Sequence, residues 1–134
     1  MKLDQARIIE LAKHDDGGAS LSFVEGGNHV PFDIKRVYYL YEISSEMRGG
    51  HAHKEHHELI VPIQGSFDVI LDDGFDKKTF TLDRPNMGLY YPTLVWHEVT
   101  NFSPDAIVLV MASERYEHED YYRVIENFYN DVRP

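Results

Sequence analysis

The sequence predicts an all-β chain folded as a double-sheet jelly roll with a helix at its C-terminal end. Three observations carry this. Short apolar or alternating runs recur along the chain, separated by Gly, Pro, Asn and Asp, the punctuation of strands and turns. Ala106-Ile-Val-Leu-Val-Met-Ala112 is a continuous apolar run of strand length, as expected of a buried strand. Helical spacing emerges only from Glu117 onward, where Tyr121, Ile125 and Phe128 recur with Tyr122 and Tyr129 alongside. About ten short strands and one terminal helix suit a double-sheet architecture.

Taken in order, residues 6–12 open the chain as a strand or turn, and Asp15-Asp-Gly-Gly18 turns. Ser20 to Glu25 alternates as a strand, Gly26-Gly-Asn28 turns, and Pro31 marks an irregular approach. Ile34 to Ile43 is rich in β-branched and aromatic residues and reads as a strand. Ser44 to Arg48 reads as a loop, and Gly49-Gly50 lets the backbone bend or approach a ligand closely. Glu58 to Ile63 and Ser66 to Leu71 are strands joined by Gln64-Gly65. Asp72-Asp-Gly74 is a hairpin signal, and Lys78 to Leu82 runs back. After a turn at Asp83 to Asn86 come strands at Met87–Tyr91 and Trp96–Thr100, a turn at Asn101 to Pro104, the 106–112 run and the tail.

The bulk numbers exclude several function classes. A chain of 134 residues favours one domain over residues 1–134, long enough to bury a core without covalent staples. There is no cysteine, so thiolate catalysis, thiolate metal sites and a disulfide framework are ruled out; the absence suits a reducing cytoplasm. The N-terminus lacks the apolar core of a signal peptide, and no stretch approaches a membrane span. The formal charge of −10 argues against nucleic acid as the main partner. An anionic ligand would need a local basic pocket.

The chemistry concentrates in Arg48-Gly-Gly-His-Ala-His-Lys-Glu-His-His-Glu58. His51 and His53 are two apart, so on a strand both imidazoles project to one face. Glu58 can return to the same cavity from the next strand. His-x-His, four residues, Glu, six residues, Gly is the spacing of the first cupin motif. Pro92-Thr-Leu-Val-Trp-His97-Glu-Val-Thr-Asn101 supplies the Pro, His and Asn of the second. Two matching halves predict a cupin double-stranded β-helix.

Two chemistries fit His51, His53, Glu58 and His97. Three imidazoles and a carboxylate can hold a divalent ion. Equally, two imidazoles in a pocket can serve as base and acid near neutral pH. Of His56 and His57 at least one must point away, and both are expected to cap or line a surface. His14, His29 and His118 carry no motif and are expected on the surface. A second group is Lys35, Arg36, Tyr38, Tyr39 and Arg48. Alternation puts Arg36 and Tyr38 on one face and Tyr39 on the other. Beside the histidines, Arg36 and Tyr38 suit an anionic ligand bearing a carbonyl; Lys35 and Tyr39 read as ordinary strand positions. The aromatic tail is expected to pack in the core or against a second copy.

Pro31-Phe-x-Ile-Lys-Arg-Val-Tyr-Tyr39, Arg48-Gly-x-His-Ala-His-Lys54, Leu71-Asp-Asp-Gly74, Gly88-Leu-Tyr90, Trp96-His97-Glu98, Ala112-Ser-x-x-Tyr116 and Glu119-Asp-Tyr121 together resemble the nucleotide-sugar 3,4-ketoisomerases of the FdtA/QdtA type, related to the WxcM C-terminal domain. The resemblance runs from about residue 20 to about residue 129. It implies a cytoplasmic homodimeric cupin acting on dTDP-4-keto-6-deoxy-D-glucose. The product would be a 3-keto sugar, a precursor of 3-amino-3,6-dideoxy sugars in surface glycans. The implied reaction is a tautomerisation through an enediol, with no cofactor and no metal. By the same resemblance His51 and His53 are the catalytic pair, with His51 the principal base. Tyr38 would hold the sugar oxygens, and Arg48 would bind charge or order the histidines. Arg36, His97 and Glu58 complete the expected substrate-binding set.

Two departures from the family pattern bear on function. Gly18-Ala-Ser-Leu21 stands where members carry Arg-Gly-x-Leu or Tyr-Gly-x-Leu, a position associated with the C4 epimer produced; His97 matches the galacto-producing type. Glu58 stands where members usually carry Gln, which completes the generic metal-cupin set of His51, His53, Glu58 and His97. Two alternatives therefore stay open: a metal-dependent cupin enzyme, and a sugar-nucleotide-binding cupin without turnover.

Overall fold

The computed structural model describes residues 1–44 and 47–133, with the side chains of Met47 and Arg48 outside that description. Among the described residues, twelve strands and one α-helix follow in chain order. They are β1 (Arg7–Glu10), β2 (His14–Asp15), β3 (Ser20–Leu21), β4 (Arg36–Leu40), β5 (Met47–His53) and β6 (Glu58–Gln64). Then come β7 (Phe67–Asp72), β8 (Lys77–Leu82), β9 (Met87–Tyr91), β10 (Trp96–Thr100), β11 (Ile107–Ala112), β12 (Tyr121–Tyr122) and helix α1 (Ile125–Val132). Short 3₁₀ turns occupy Lys2–Gln5 and His118–Asp120.

Two five-stranded sheets form the jelly roll, in orders β1-β9-β6-β11-β4 and β12-β5-β10-β7-β8, and every strand pairing in them is antiparallel. Strands β2 and β3 form a separate small hairpin. The main core lies between the sheets, where Phe67, Val69 and Leu71 of β7 meet Ile60, Leu89, Val108 and Val110. A second cluster on the outer face of the first sheet covers Leu59, Val61, Tyr90 and Met111 with Val30 and Phe32 from the segment before β4. Apolar residues on both faces explain why β11, an interior strand between β6 and β4, reads as an unbroken run.

Four sequence expectations need correction. The strand at 34–43 forms only over Arg36–Leu40, and that at 20–25 only over Ser20–Leu21. The backbone is already strand from Met47, so the region read as a loop up to Arg48 ends earlier; Ser45 and Glu46 lie outside the described residues. Glycines there suppressed a strand signal that pairing with β10 supplies. The tail is not one helix. It makes a 3₁₀ turn, then two residues that pair with β5 as Tyr121↔His53 and Tyr122↔Ala52, and only then α1. The tyrosines gave helical spacing, yet a free strand edge captured them.

The helix closes over the histidine strands. Phe128, fully buried, packs with Trp96 of β10 and Ala52 of β5. Tyr129 donates a hydrogen bond to Asp72, and Arg133 Nε donates to the Gly74 carbonyl. The Asp72-Asp-Gly74 hairpin thus anchors the chain end as well as turning the chain.

Gly65 ends β6 with φ +74°, and a Cβ there would stand 2.2 Å from Ser103 Oγ and 3.2 Å from Ala106 Cα. Ser103 Oγ already accepts the Ser66 N–H at 2.8 Å. Replacing Gly65 by Ala strains the backbone and the turn together, so it is expected to cost about 2 kcal/mol or more in urea unfolding. A midpoint unchanged from the parent protein would contradict this account of the turn.

Candidate active site

The site forms because inward-facing positions of the two sheets meet. On β5, His51 and His53 share the inner face, as their spacing requires. His97 of β10 is the cross-strand neighbour of His51. The register then jumps from His97↔His51 to Glu98↔Gly49, which leaves Gly50 as an extra residue at φ +74°. This bulge needs the left-handed backbone that glycine adopts without cost, and it re-aims the strand beside His51. The opposite sheet contributes Glu58 from β6 and Tyr91 from β9, which are register partners, and Tyr38 from β4.

Glu58 lies at the centre of the polar network. It is fully buried, and its two oxygens accept hydrogen bonds from Tyr38 OH and Tyr91 OH, both at 2.8 Å. His53 Nε2 stands 3.3 Å from Oε1, and His97 Nε2 3.7 Å from it. Burial alone would push the Glu58 carboxyl up. The charge of His53, its hydrogen bonding, His97 and the Tyr38 hydroxyl outweigh burial and hold it well below the usual carboxylate range. Burial and the adjacent carboxylate raise Tyr38 and Tyr91, so both phenols stay protonated.

The histidines are not equivalent. Burial, reinforced by His51, pushes His97 well below its ordinary value, so it is neutral near pH 7. Its Nδ1 faces the Val95 carbonyl at 3.5 Å and its Nε2 faces His51 Nε2 at 3.1 Å. With Nδ1–H directed to the carbonyl, His97 Nε2 accepts from His51 Nε2–H. The lone pair of a neutral His51 is then on Nδ1. A small cavity of about 170 Å³ opens beside them, with Tyr38, His51, Tyr91 and His97 on its polar wall and Leu40, Ile60, Val99, Val108 and Val110 on its apolar wall. His53 and Glu58 do not line it; they sit one layer behind, buried.

Most of the expected site residues converge here. Arg36 joins them from β4: its guanidinium lies 4.9 Å from the Tyr38 ring centroid, and Nη2 donates to Tyr121 OH at 3.2 Å. Tyr39 faces away and is exposed, as alternation requires, and Lys35 pairs with Glu114 at the surface. The Arg48 side chain lies outside the described residues. His57 points to the outer face, with Nδ1 2.7 Å from Tyr90 OH.

His56 departs from expectation. It is buried at the back of a cavity rather than on the surface, its ring centroid is 4.6 Å from that of His53, and its Nδ1 is hydrogen-bonded to Asp120. The sequence reading also passed over Tyr91, Asp120 and Tyr121. Tyr121 packs its ring 4.5 Å from His53 and 5.1 Å from His51. Glu119-Asp-Tyr121 stood out as a motif, but helical periodicity disguised its place on the sheet edge. Tyr91 could have been found as the second of two adjacent phenols that close a short strand before Pro92.

The histidine set can be tested for metal binding. Ligand atoms of His51, His53 and His97 all lie within 4.8 Å of one another, close enough for three imidazoles to share one ion. Glu58 is not part of that cluster, and each of its oxygens accepts a tyrosine hydroxyl.

Comparison with known proteins agrees with this picture. The family model described as "FdtA: WxcM-like, C-terminal" matches residues 4–133. A TDP-4-oxo-6-deoxy-α-D-glucose-3,4-oxoisomerase of Aneurinibacillus thermoaerophilus is 43% identical over 123 residues, covering 91% of this chain and 88% of that protein. The crystal structure of a 3,4-ketoisomerase from Helicobacter canadensis superposes with a TM-score of 0.93 at 36% identity, covering 97% of this chain and 98% of the other. QdtA of Thermoanaerobacterium thermosaccharolyticum gives a TM-score of 0.91 at 32% identity, covering 96% of this chain and 94% of the other. That structure is a variant with one histidine replaced by asparagine, in complex with TDP-4-keto-6-deoxyglucose.

The shifted groups fix how stability follows pH. The folded value of His97 lies below the ordinary 6.5, so as pH falls through 6.5 the unfolded chain takes up a proton first and stability is lost. Glu58 adds a second loss of the same sign below its ordinary 4.5. Calorimetric melting between about pH 7.5 and 5.5 is expected to show Tm falling with pH, less steeply in His97→Asn. Equal slopes for the two proteins would remove His97 as the cause.

Proposed function

This chain belongs to the WxcM-like C-terminal family of TDP-sugar 3,4-ketoisomerases and is an isomerase, and we propose that its substrate is TDP-4-keto-6-deoxyglucose. The product is the 3-keto-6-deoxyhexose, with the galacto configuration at C4, for synthesis of 3-amino-3,6-dideoxy sugars of surface glycans. The observation that carries this reading is the pairing of His51 with a neutral His97 at the wall of a small cavity facing Tyr38. That wall presents an imidazole, a proton-bearing phenol and an apolar floor.

The chemistry follows from those positions. His51, through Nδ1, removes the proton from C3 of the bound keto sugar, the electron pair forms the C3–C4 double bond, and the C4 carbonyl oxygen takes up a proton, giving an enediol. A proton then enters at C4 while the C3 hydroxyl proton leaves, which closes the 3-keto group. Tyr38 lies on the cavity wall and hydrogen-bonds the sugar oxygens. His53 assists from behind: its proton can pass to Glu58 across 3.3 Å, and Glu58 holds Tyr38 OH at 2.8 Å. Arg36 keeps Tyr38 in place by stacking, and Arg48 binds substrate charge. Nothing in this scheme requires a cofactor. Galacto stereochemistry rests on His97 standing at the second-motif histidine position.

A second copy of the chain fits the exposed edge of the first sheet, where β4 and the residue that follows it leave Val37, Tyr39 and Tyr41 more than half exposed. We take the protein to be a cytoplasmic homodimer acting on a TDP-linked sugar rather than on nucleic acid or lipid. Among the described residues no helix is long and apolar enough to cross a membrane.

The deciding experiment is an NMR time course in deuterated water, with chelator-treated protein and TDP-4-keto-6-deoxyglucose. A 3-keto sugar carrying deuterium at C4 is the expected product, with the C4 coupling pattern of the galacto epimer. Turnover only after a divalent metal is restored would transfer the site to the metal cupins, and no product under either condition would sink the isomerase assignment. Within the same assay His51→Asn is expected to lower kcat about 10³-fold and Tyr38→Phe about a hundredfold. Arg48→Ala is expected to raise KM, and unchanged kinetics would remove Arg48 from the site.

A further inference from the structure

Behind the cavity the polar groups do not stop at His53. Its Nδ1 stands 3.7 Å from Asp120 Oδ2, and the same oxygen is hydrogen-bonded to His56 Nδ1. Asp120 and His56 in turn line a separate, larger cavity of about 810 Å³, bordered by Lys35, Lys54 and Arg115 among acidic residues. The chain of groups is therefore continuous. It runs from Tyr38 OH on the inner cavity through Glu58, His53 and Asp120 to His56 on the outer one. His53 and His56 are almost completely buried, and neither His53 Nδ1 nor His56 Nε2 has a hydrogen-bond partner among the described residues. Unpartnered buried nitrogens are costly for a purely structural role. They suit groups that pass a proton on rather than hold one in a fixed bond.

Asp120 is built into this position. Its Oδ1 accepts the Glu55 N–H at 2.8 Å, and its backbone carbonyl accepts the Lys54 N–H at 2.8 Å. The carboxylate cannot swing away from the two histidines without losing the Glu55 N–H bond.

We propose that Asp120 and His56 form a proton relay that recharges His53 from the outer cavity after each turnover. The inference rests on the isomerase reading above. In that reaction the proton taken from C3 ends on His51, while the proton given at C4 is drawn through Tyr38 and Glu58 from His53; the proton that the C4 oxygen gains is matched by the one that the C3 hydroxyl loses. After one turnover His51 carries one proton too many and His53 one too few. His51 is partly exposed and returns its proton to solvent on the inner side. His53 regains one from His56 by way of Asp120, and His56 is resupplied from water in the outer cavity. One proton leaves and one enters, so the cycle closes.

The test separates the first turnover from the rest, using intact protein and TDP-4-keto-6-deoxyglucose in rapid-quench mixing. Asp120→Asn and His56→Gln keep the shape and a hydrogen-bonding group at each position while removing the proton carrier. Both are expected to make one equivalent of product at close to the parent rate, then to continue about tenfold slower. Added imidazole, small enough for the outer cavity, should raise the slow phase at constant pH. A full steady-state rate in both variants would overturn the relay alone. So would a first turnover that falls in step with the steady state and does not respond to imidazole, because the two residues would then merely support His53. No product from the parent protein would instead sink the isomerase reading on which the relay depends.

Discussion

A single buried carboxylate organises this protein. Glu58 lies wholly out of water, where an unpaired charge is severely penalised. The fold answers with two phenol hydroxyls and the His53 imidazole, drawn from both sheets. Because those partners come from β4, β5 and β9, satisfying Glu58 also fixes how the sheets face each other at the site. The same contacts decide protonation. The carboxylate stays charged, the phenols stay protonated, and His97, buried next to His51, stays neutral. The acid–base character of the cavity wall is thus set one layer behind it.

The second constraint is the edge of the histidine sheet. β5 would be an edge strand if Tyr121 and Tyr122 did not pair with it. That short pairing brings Asp120 to the Nδ1 side of His53 and lays the Tyr121 ring against His51 and His53. Helix α1 then seals the outer face through Phe128 against Trp96 and Ala52. The tail is therefore part of the site's wall, although it is far in sequence from the histidines it supports.

What was legible in the sequence follows from which constraints are local. Alternation on a strand is local, so the common face of His51 and His53, the opposed faces of Tyr38 and Tyr39 and the buried run at β11 were all readable. Glu58 and His97 were readable because the residues around them match the two halves of the cupin motif. Strand-edge capture is not local. Tyr121 and Tyr122 carry a helical period, and only the unpaired edge of β5, some 70 residues upstream, turns them into a strand. His56 was misjudged for a related reason. Its neighbour His57 faces outward as expected, but the burial of His56 depends on Asp120, which the same capture brings into place.

The metal question shows how the network limits function. The presence of Glu58 in a cupin motif suggests a ligand, since the residue type and spacing match. Its surroundings argue otherwise. Turning the carboxylate toward an ion among the three histidines would take the acceptor from Tyr38 and Tyr91, both protonated and held at 2.8 Å. Each buried donor left unmatched costs about 1–3 kcal/mol. A metal would have to repay that loss and also break the contact between His51 and His97 that sets the tautomer of both rings. The carboxylate at position 58 is thus better matched to holding protons in order than to holding a cation. The charge that makes it resemble a ligand is the charge that keeps His53 and Tyr38 in register.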